Sequence, residues 1–206
     1  MTEEKYIISS CVISNSSVLK NNEIIFSCND DDLHSFLISL YHFIKTEYPK
    51  FYKMDNLSKL GFLASEILIK DEETVKKYKP GEIGIVLTNA NSSLDADEKY
   101  FQSVKEIASP ALFVYTLPNI VIGEICIRNN FKGENSFFVF ENFNAAFIQQ
   151  YVRDLFGNNI VQLCICGWVD VLGENYKAAL FLVSKNKAQN AVLFNEENLD
   201  RIFKTV

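Results

Sequence analysis

The sequence predicts one layered α/β domain with a mixed sheet, and three observations carry that expectation. Ile83 to Thr88 is a short apolar run that empties into the polar loop Asn89-Ala-Asn-Ser-Ser93, after which Asp95 opens a helical stretch towards Val104. Strand, polar loop and helix in that order form the repeating unit of an α/β sheet. Ile160 to Val169 and Ala178 to Val183 are apolar almost throughout, as strands covered on both faces are. Gly173-Glu-Asn-Tyr-Lys177 and its flanks are too short to hold a crossover helix, so this last pair is antiparallel. Finally, 206 residues with 48% hydrophobic and 22% charged side chains can bury one full core, and no repeat, low-complexity tract or linker divides them.

The elements follow in order. Tyr6 to Ile13 alternates loosely and is rich in β-formers, hence a strand, and Val18 to Phe26 reads as a small hairpin turning at Asn21-Asn22. Asp30, Asp31 and Asp32 cap a helix whose apolar positions Leu33, Phe36, Leu37, Leu40 and Ile44 keep a 3.6-residue period. After Tyr48-Pro49 comes a second helix, capped by Asp55 or Asn56, with Leu57, Leu60, Ala64, Ile67 and Leu68 on one face. Pro80-Gly81 turns the chain into the strand at Ile83. Thr116 to Phe131 is ambiguous: its isoleucines and valine favour a strand, while Thr116 as cap with Pro118 in the first turn favours a helix. We read a central helix, apolar on nearly every face. Gly133 leads into a strand from Ser136 to Phe140, then a helix from Asn142 to Phe156 that Gly157 stops. Ala191 to Phe194 is a short strand, and a last helix starts at Glu196; no role attaches to residues 186–206.

Charge and cysteine usage narrow the function. With 20 Lys and Arg against 26 Asp and Glu the net charge is −6, the wrong sign for sequence-independent nucleic-acid binding. No stretch holds the ~20 apolar residues that span a bilayer, since Ala111 to Ile127 is broken by Pro118, Asn119 and Glu124. Met-Thr-Glu-Glu-Lys5 is unlike a secretory leader, and five cysteines, an odd number mostly inside apolar runs, fit reduced thiols. A soluble, cytoplasmic protein is expected, with no cofactor, no nucleic-acid partner and no membrane partner.

At this point a family resemblance becomes visible. Tyr115-Thr-Leu-Pro-Asn-Ile-Val-Ile-Gly-Glu-Ile-Cys-Ile-Arg-Asn-Asn-Phe-Lys-Gly133 resembles the segment of β-ketoacyl synthases that leads into their active site. Asn135-Ser-Phe-Phe-Val139 is similar to the strand that delivers their catalytic cysteine, and Gly167-Trp-Val-Asp170 stands where the family has a Gly-Gly-x-Asp/Glu motif. Tyr48 to Leu60, with Lys53-Met-Asp55, resembles an upstream helix, and Asn89 to Asp95 sits in the matching loop. Order and spacing agree from about Lys5 to Lys185. The resemblance implies that residues 1–206 form one ketosynthase-N-terminal-like domain. Its fold would be a three-layer α/β/α, single thiolase-like half with a five-stranded mixed sheet and an antiparallel last strand.

The departures carry the functional expectation. Counting from Gly133, the family's nucleophilic cysteine falls at Asn142, and a carboxamide can neither become a thiolate nor carry an acyl chain as a thioester. The family's second half, which supplies two histidines and part of the oxyanion hole, is expected to be missing, and His34 and His42 belong to an early helix. The resemblance therefore implies a chain-length-factor-like partner of a full-length ketosynthase in bacterial polyketide, aryl-polyene or pigment synthesis. Tunnel or partner-facing residues would be Phe113, Tyr115, Thr116, Pro118, Asn119, Phe138 and Phe140, with the Ser136 to Phe140 strands of two subunits meeting edge to edge. A self-dimer binding an acyl chain or an acyl carrier protein, and a malonyl decarboxylase, are the alternatives.

Other residue patterns read blandly. Asn142 is also a good N-cap, and Glu141 reads as an exposed first-turn carboxylate. His34 and His42 are eight apart, not at metal-pair spacing, and Cys164-x-Cys166 lacks two further ligands. Ser92-Ser93 has no nucleophile-elbow context, and the eight glycines are too scattered for a phosphate loop. Seventeen Phe and nine Tyr leave two readings open, a Phe-rich core or aromatics that cover a partner or tunnel wall.

Overall fold

A computed structural model describes residues 4–29, 32–70 and 72–205, so the expected caps Asp30 and Asp31 lie outside the described residues. The chain starts as a meander of β1 (Tyr6–Ser14), β2 (Ser17–Lys20) and β3 (Glu23–Ser27). Asn15-Ser16 and Asn21-Asn22 make its two tight turns, all four with positive φ (49°, 54°, 53° and 68°). Such turns match the strand twist, and asparagine tolerates the left-handed backbone they require.

Helix α1 (Leu33–Ile44) is capped by Asp32, whose carboxylate accepts from Ser35 N at 2.8 Å, and α2 (Asn56–Ile69) by Asp55, which accepts from Ser58 N at 3.0 Å. Strand β4 (Ile83–Asn89) feeds α3 (Leu94–Val104), then come α4 (Pro110–Phe113), a 3-10 turn at Val114–Thr116 and α5 (Ile120–Asn129). Strand β5 (Asn135–Val139) leads to α6 (Ala145–Gly157), then β6 (Leu163–Leu172), β7 (Asn175–Ser184), β8 (Val192–Leu193) and α7 (Glu196–Phe203).

All strands join one sheet in the order β3-β2-β1-β7-β6-β4-β5, with β8 also on β1. β4 pairs in parallel with β5 and β6, whereas β7 is antiparallel to both β6 and β1, so the antiparallel last pair is as expected. The sheet has eight strands, not five. Five strands, β1-β7-β6-β4-β5, run unbroken to the β5 edge, and the outer edge of β1 is long enough to take β2 along Cys11–Ser14 and β8 at Tyr6 and Ile7. Alternate strand residues point into two cores. Ile85, Ile165 and Leu182 meet α1, α2 and α5, while Val86, Cys164, Cys166 and Phe181 meet α6 and α7. The result is a three-layer α/β/α domain.

Three boundaries differ from the sequence reading, each for a local reason. The ambiguous segment is helical, but it starts at Ile120 with Asn119 as cap. Leu117 precedes Pro118 and is held extended (φ −114°, ψ 117°), so no helix can run on from Thr116. Nor is α5 buried all round, because Ile127 is exposed. Strand β6 begins three residues later than expected, since Asn159 turns left-handed and Ile160 N donates back to Leu155 O at the end of α6. Gly157 is the last residue of α6 and does not stop it. No single helix among the described residues is long and apolar enough to cross a membrane.

Candidate functional site

The site is the corner between β5 and α6, at the carboxyl ends of the parallel strands, where open α/β sheets place ligands. Phe140 N donates to Asn89 O at 2.9 Å, so the chain follows β4 to its end before turning at Glu141 and Asn142. Asn142 is exposed in that turn and is not the helix cap. That role belongs to Asn144, whose Oδ1 accepts from Phe147 N at 2.9 Å. The expected capping function of Asn142 is thus corrected, while its place at the strand-to-helix corner is as counted.

Around Asn142 lies an open cleft of about 470 Å³ lined by residues 140–146 together with Glu196 and Asp200 of α7. Three carboxylates, Glu141, Glu196 and Asp200, face it. Beneath, Phe143 stacks on Phe203 with ring centres 4.1 Å apart and planes within 3°, and Trp168 meets both edge-on at 6.3 and 6.1 Å. Lys177 Nζ sits 4.6 Å from the centre of the Phe203 ring, and burial lowers its pKa. Of this aromatic group Phe143 alone lines the cleft.

No thiol or imidazole of the described residues lines this cleft; its titratable side chains are the three carboxylates. Cys11, Cys164 and Cys166 are fully buried in strands; burial pushes Cys11 up to about 12 and raises the other two well above the usual thiol range. Cys126 is half-buried and raised for the same reason. His34 and His42 are exposed on α1, which covers the opposite face of the sheet. Among the described residues no group of three His, Cys, Asp or Glu could hold a metal ion.

The loop between β4 and α3 is rigidly held. Asp170, at the end of β6, accepts from Ala90 N (3.2 Å), Asn91 N (3.0 Å) and Asn91 Nδ2 (2.8 Å). Asn89 is fully buried and bonds both N and O of Ser92, and Ser93 Oγ donates to Thr116 O at 2.9 Å.

The residues expected to face a tunnel or partner divide into groups. Phe113 and Asn119 are exposed, Thr116 and Pro118 half-buried, and Phe113 packs against Tyr100 at 5.4 Å. Tyr115 instead turns inward and donates to Glu124 Oε1 at 3.3 Å; burial, then the Glu124 charge, raise its pKa. Glu124 is itself buried and paired with Lys50 Nζ at 2.8 Å. Phe138 and Phe140 are half-buried on the α6 side, touching Phe147 at 4.8 and 4.7 Å. Strand β5 pairs only with β4, leaving its other edge open among the described residues, with Val139 exposed.

A polar layer lies behind these residues. Asp55 is half-buried with its carboxyl turned inward, and desolvation, reinforced by the Asp95 charge, raises its pKa. A carboxyl whose folded pKa exceeds its unfolded value contributes stability that is complete below the unfolded pKa and is lost as pH rises through the folded one. Asp55→Asn keeps a capping oxygen and removes that loss. It is expected to raise the thermal midpoint at pH 7 and to flatten the decline of that midpoint between pH 4 and 7, checked by calorimetry across that range.

Sequence reasoning missed the outer face of α3. Leu94, Phe101, Val104 and, just past the helix, Ile107 are exposed, whereas Asp95 and Ala96 are buried. The signal was present in the spacing of Leu94, Phe101 and Val104, which places all three on one helical face.

No protein-family model matches the sequence, and no curated protein matches it. Solved structures do. The ishigamide ketosynthase/chain length factor superposes with a TM-score of 0.63 at 15% identity, over 90% of this chain and 63% of that one. A type II polyketide synthase complex of an acyl-carrier protein with its hexaketide-bound ketosynthase gives 0.59 at 13%, over 89% and 63%. The ketosynthase ApeO with its chain length factor ApeC from Xenorhabdus doucetiae gives 0.58 at 11%, over 90% and 80%. The chain thus spans 63% of the length of the first two structures, and the likeness shows that it shares their fold.

Proposed function

We propose that this chain is a non-catalytic, chain-length-factor-like partner of a ketosynthase in polyketide, aryl-polyene or related fatty-acid-type synthesis. One observation carries the reading: on a fold shared with ketosynthase/chain length factor structures, the β5–α6 corner presents Asn142 among three carboxylates, with no thiol or imidazole lining the cleft. Acyl transfer needs a thiolate, a base and an oxyanion site; the carboxylates can serve as base, but a carboxamide is not a thiolate and neighbouring negative charge disfavours an oxyanion. The partner would supply thiol, histidines and oxyanion hole. This chain would offer it the open edge of β5 and the neighbouring Phe113, Thr116, Pro118 and Asn119, where β-augmentation would cover an exposed edge strand.

The test is reconstitution with the ketosynthase that co-purifies from the native host. Condensation rate or product length is expected to change when this chain is omitted; an unchanged rate and an unchanged product length sink the proposal. Restoring sulfur gives a second test. Asn142→Cys is expected to form no acyl-enzyme on incubation with acyl thioesters, read by intact-protein mass, because Glu141, Glu196 and Asp200 disfavour the thiolate. Stoichiometric acylation of that variant would show the corner competent and the chain a catalyst that lost its nucleophile.

A further inference from the structure

Helix α3 is built inside out. Asp95 and Ala96 point into the protein, while Phe101 is 65% exposed and Ile107, just beyond the helix, 85% exposed. This orientation is fastened by polar bonds. Asp95 Oδ1 accepts from Gly173 N at 3.1 Å, its Oδ2 pairs with Lys99 Nζ at 2.7 Å, and Ser93, the N-cap, is tied to Thr116 O. Rolling the apolar stripe inward would break the bonds to Gly173 and Thr116 and carry the Asp95–Lys99 pair out with the turning helix, so its exposure is enforced.

Leu94, Phe101, Val104 and Ile107 together leave on the order of 500 Å² of apolar side chain in water, as much as the largest patch on a typical monomer. Two such stripes laid fully together would bury about 1,000 Å², at the low end for a specific interface. The rim argues for what lies opposite. Glu98 is exposed beside one end of the stripe and Lys105 beside the other, whereas Lys99 is turned away to Asp95. A two-fold axis through the middle of the stripe sets Glu98 of one copy against Lys105 of the other, and the reverse, so that each of these ammonium groups finds a carboxylate. A surface that complements itself in this way is what an isologous dimer requires.

We infer that the outward face of α3 joins two copies of this chain as an antiparallel helix pair. The stripe does not include the β5 edge, although it adjoins Phe113, which packs against Tyr100 of α3; a second copy on α3 leaves the β5 edge itself free for a different subunit. The dimer stands independently of the proposed function; only an assembly of two such chains with two ketosynthases rests on that reading.

Sedimentation equilibrium of the full chain at micromolar concentration tests the dimer. The expected result is a concentration-dependent mass of two copies. Phe101→Glu/Ile107→Glu should give a monomer with unchanged circular dichroism, because both side chains are exposed, and Val139→Lys on β5 should leave the dimer intact. Lys105→Glu should weaken association several-fold, and adding Glu98→Lys should recover part of it. A monomer at every concentration, or a dimer indifferent to the Phe101/Ile107 change, overturns the inference. If the stripe variant instead loses the co-purifying ketosynthase, the stripe belongs to that interface; this inference then falls while the proposed function stands. A stripe-dependent dimer that brings down no ketosynthase upholds the inference and removes the proposed function.

Discussion

Gly167→Ala is expected to leave little folded protein, with a loss of roughly 4 kcal/mol or more and a thermal midpoint lower by roughly 10 °C. Gly167 lies mid-strand in β6 with φ at +144°, a backbone that residues with a Cβ rarely adopt. A Cβ there would also stand 2.0 Å from the carbonyl oxygen of Ala179 on β7, inside the pairing of the two strands. Relief would require β6 and β7 to part, although both neighbours, Cys166 and Leu180, are fully buried. Gly157→Ala is the control: nothing lies within 4 Å of its Cβ in the last turn of α6, so that change should be neutral or slightly stabilising. Thermal melts of the two variants side by side decide the matter, and a Gly167→Ala midpoint close to wild type would contradict the strand geometry.

Asp170→Ala should cost about 2–4 kcal/mol, since it removes three hydrogen bonds to a charged acceptor and leaves the Ala90 and Asn91 N–H groups unpaired. The damage should be local. Hydrogen exchange at residues 89–93 is expected to accelerate while α1 and α2 keep their protection, because Asp170 reaches only the loop that launches α3. Asp170→Asn retains one acceptor oxygen and should fall between. If the alanine variant shows uniform exchange across the chain, Asp170 supports the whole fold and not this loop.

Much of the architecture was legible because short-range chemistry decided it. Asn21-Asn22 imposed a primed turn, Asp32 and Asp55 sit where α1 and α2 begin, and the brief Gly173 connection forced β6 and β7 antiparallel. Elements whose limits depend on the neighbouring residue's backbone were less legible. Pro118 acts on α5 through Leu117, and Asn159 delays β6 by absorbing the end of α6. At the corner, two asparagines two residues apart compete for one cap, and only the path of the chain after Phe140 decides for Asn144. Tyr115 could not be told from its exposed neighbour Phe113, because the partner that draws it inward, Glu124, lies on the next helix. The α3 stripe escaped notice because a helix is ordinarily read with its apolar side inward, and here Asp95 holds it the other way.

The three sealed sulfurs on β1 and β6 give the molecule an internal stopwatch. Cys28 and Cys126 are half-buried, so a thiol-reactive dye should modify them by small local excursions. Cys11, Cys164 and Cys166 sit on central strands and meet the dye only when the sheet itself opens. Labelling in two kinetic phases would therefore time global unfolding under native conditions, with no denaturant.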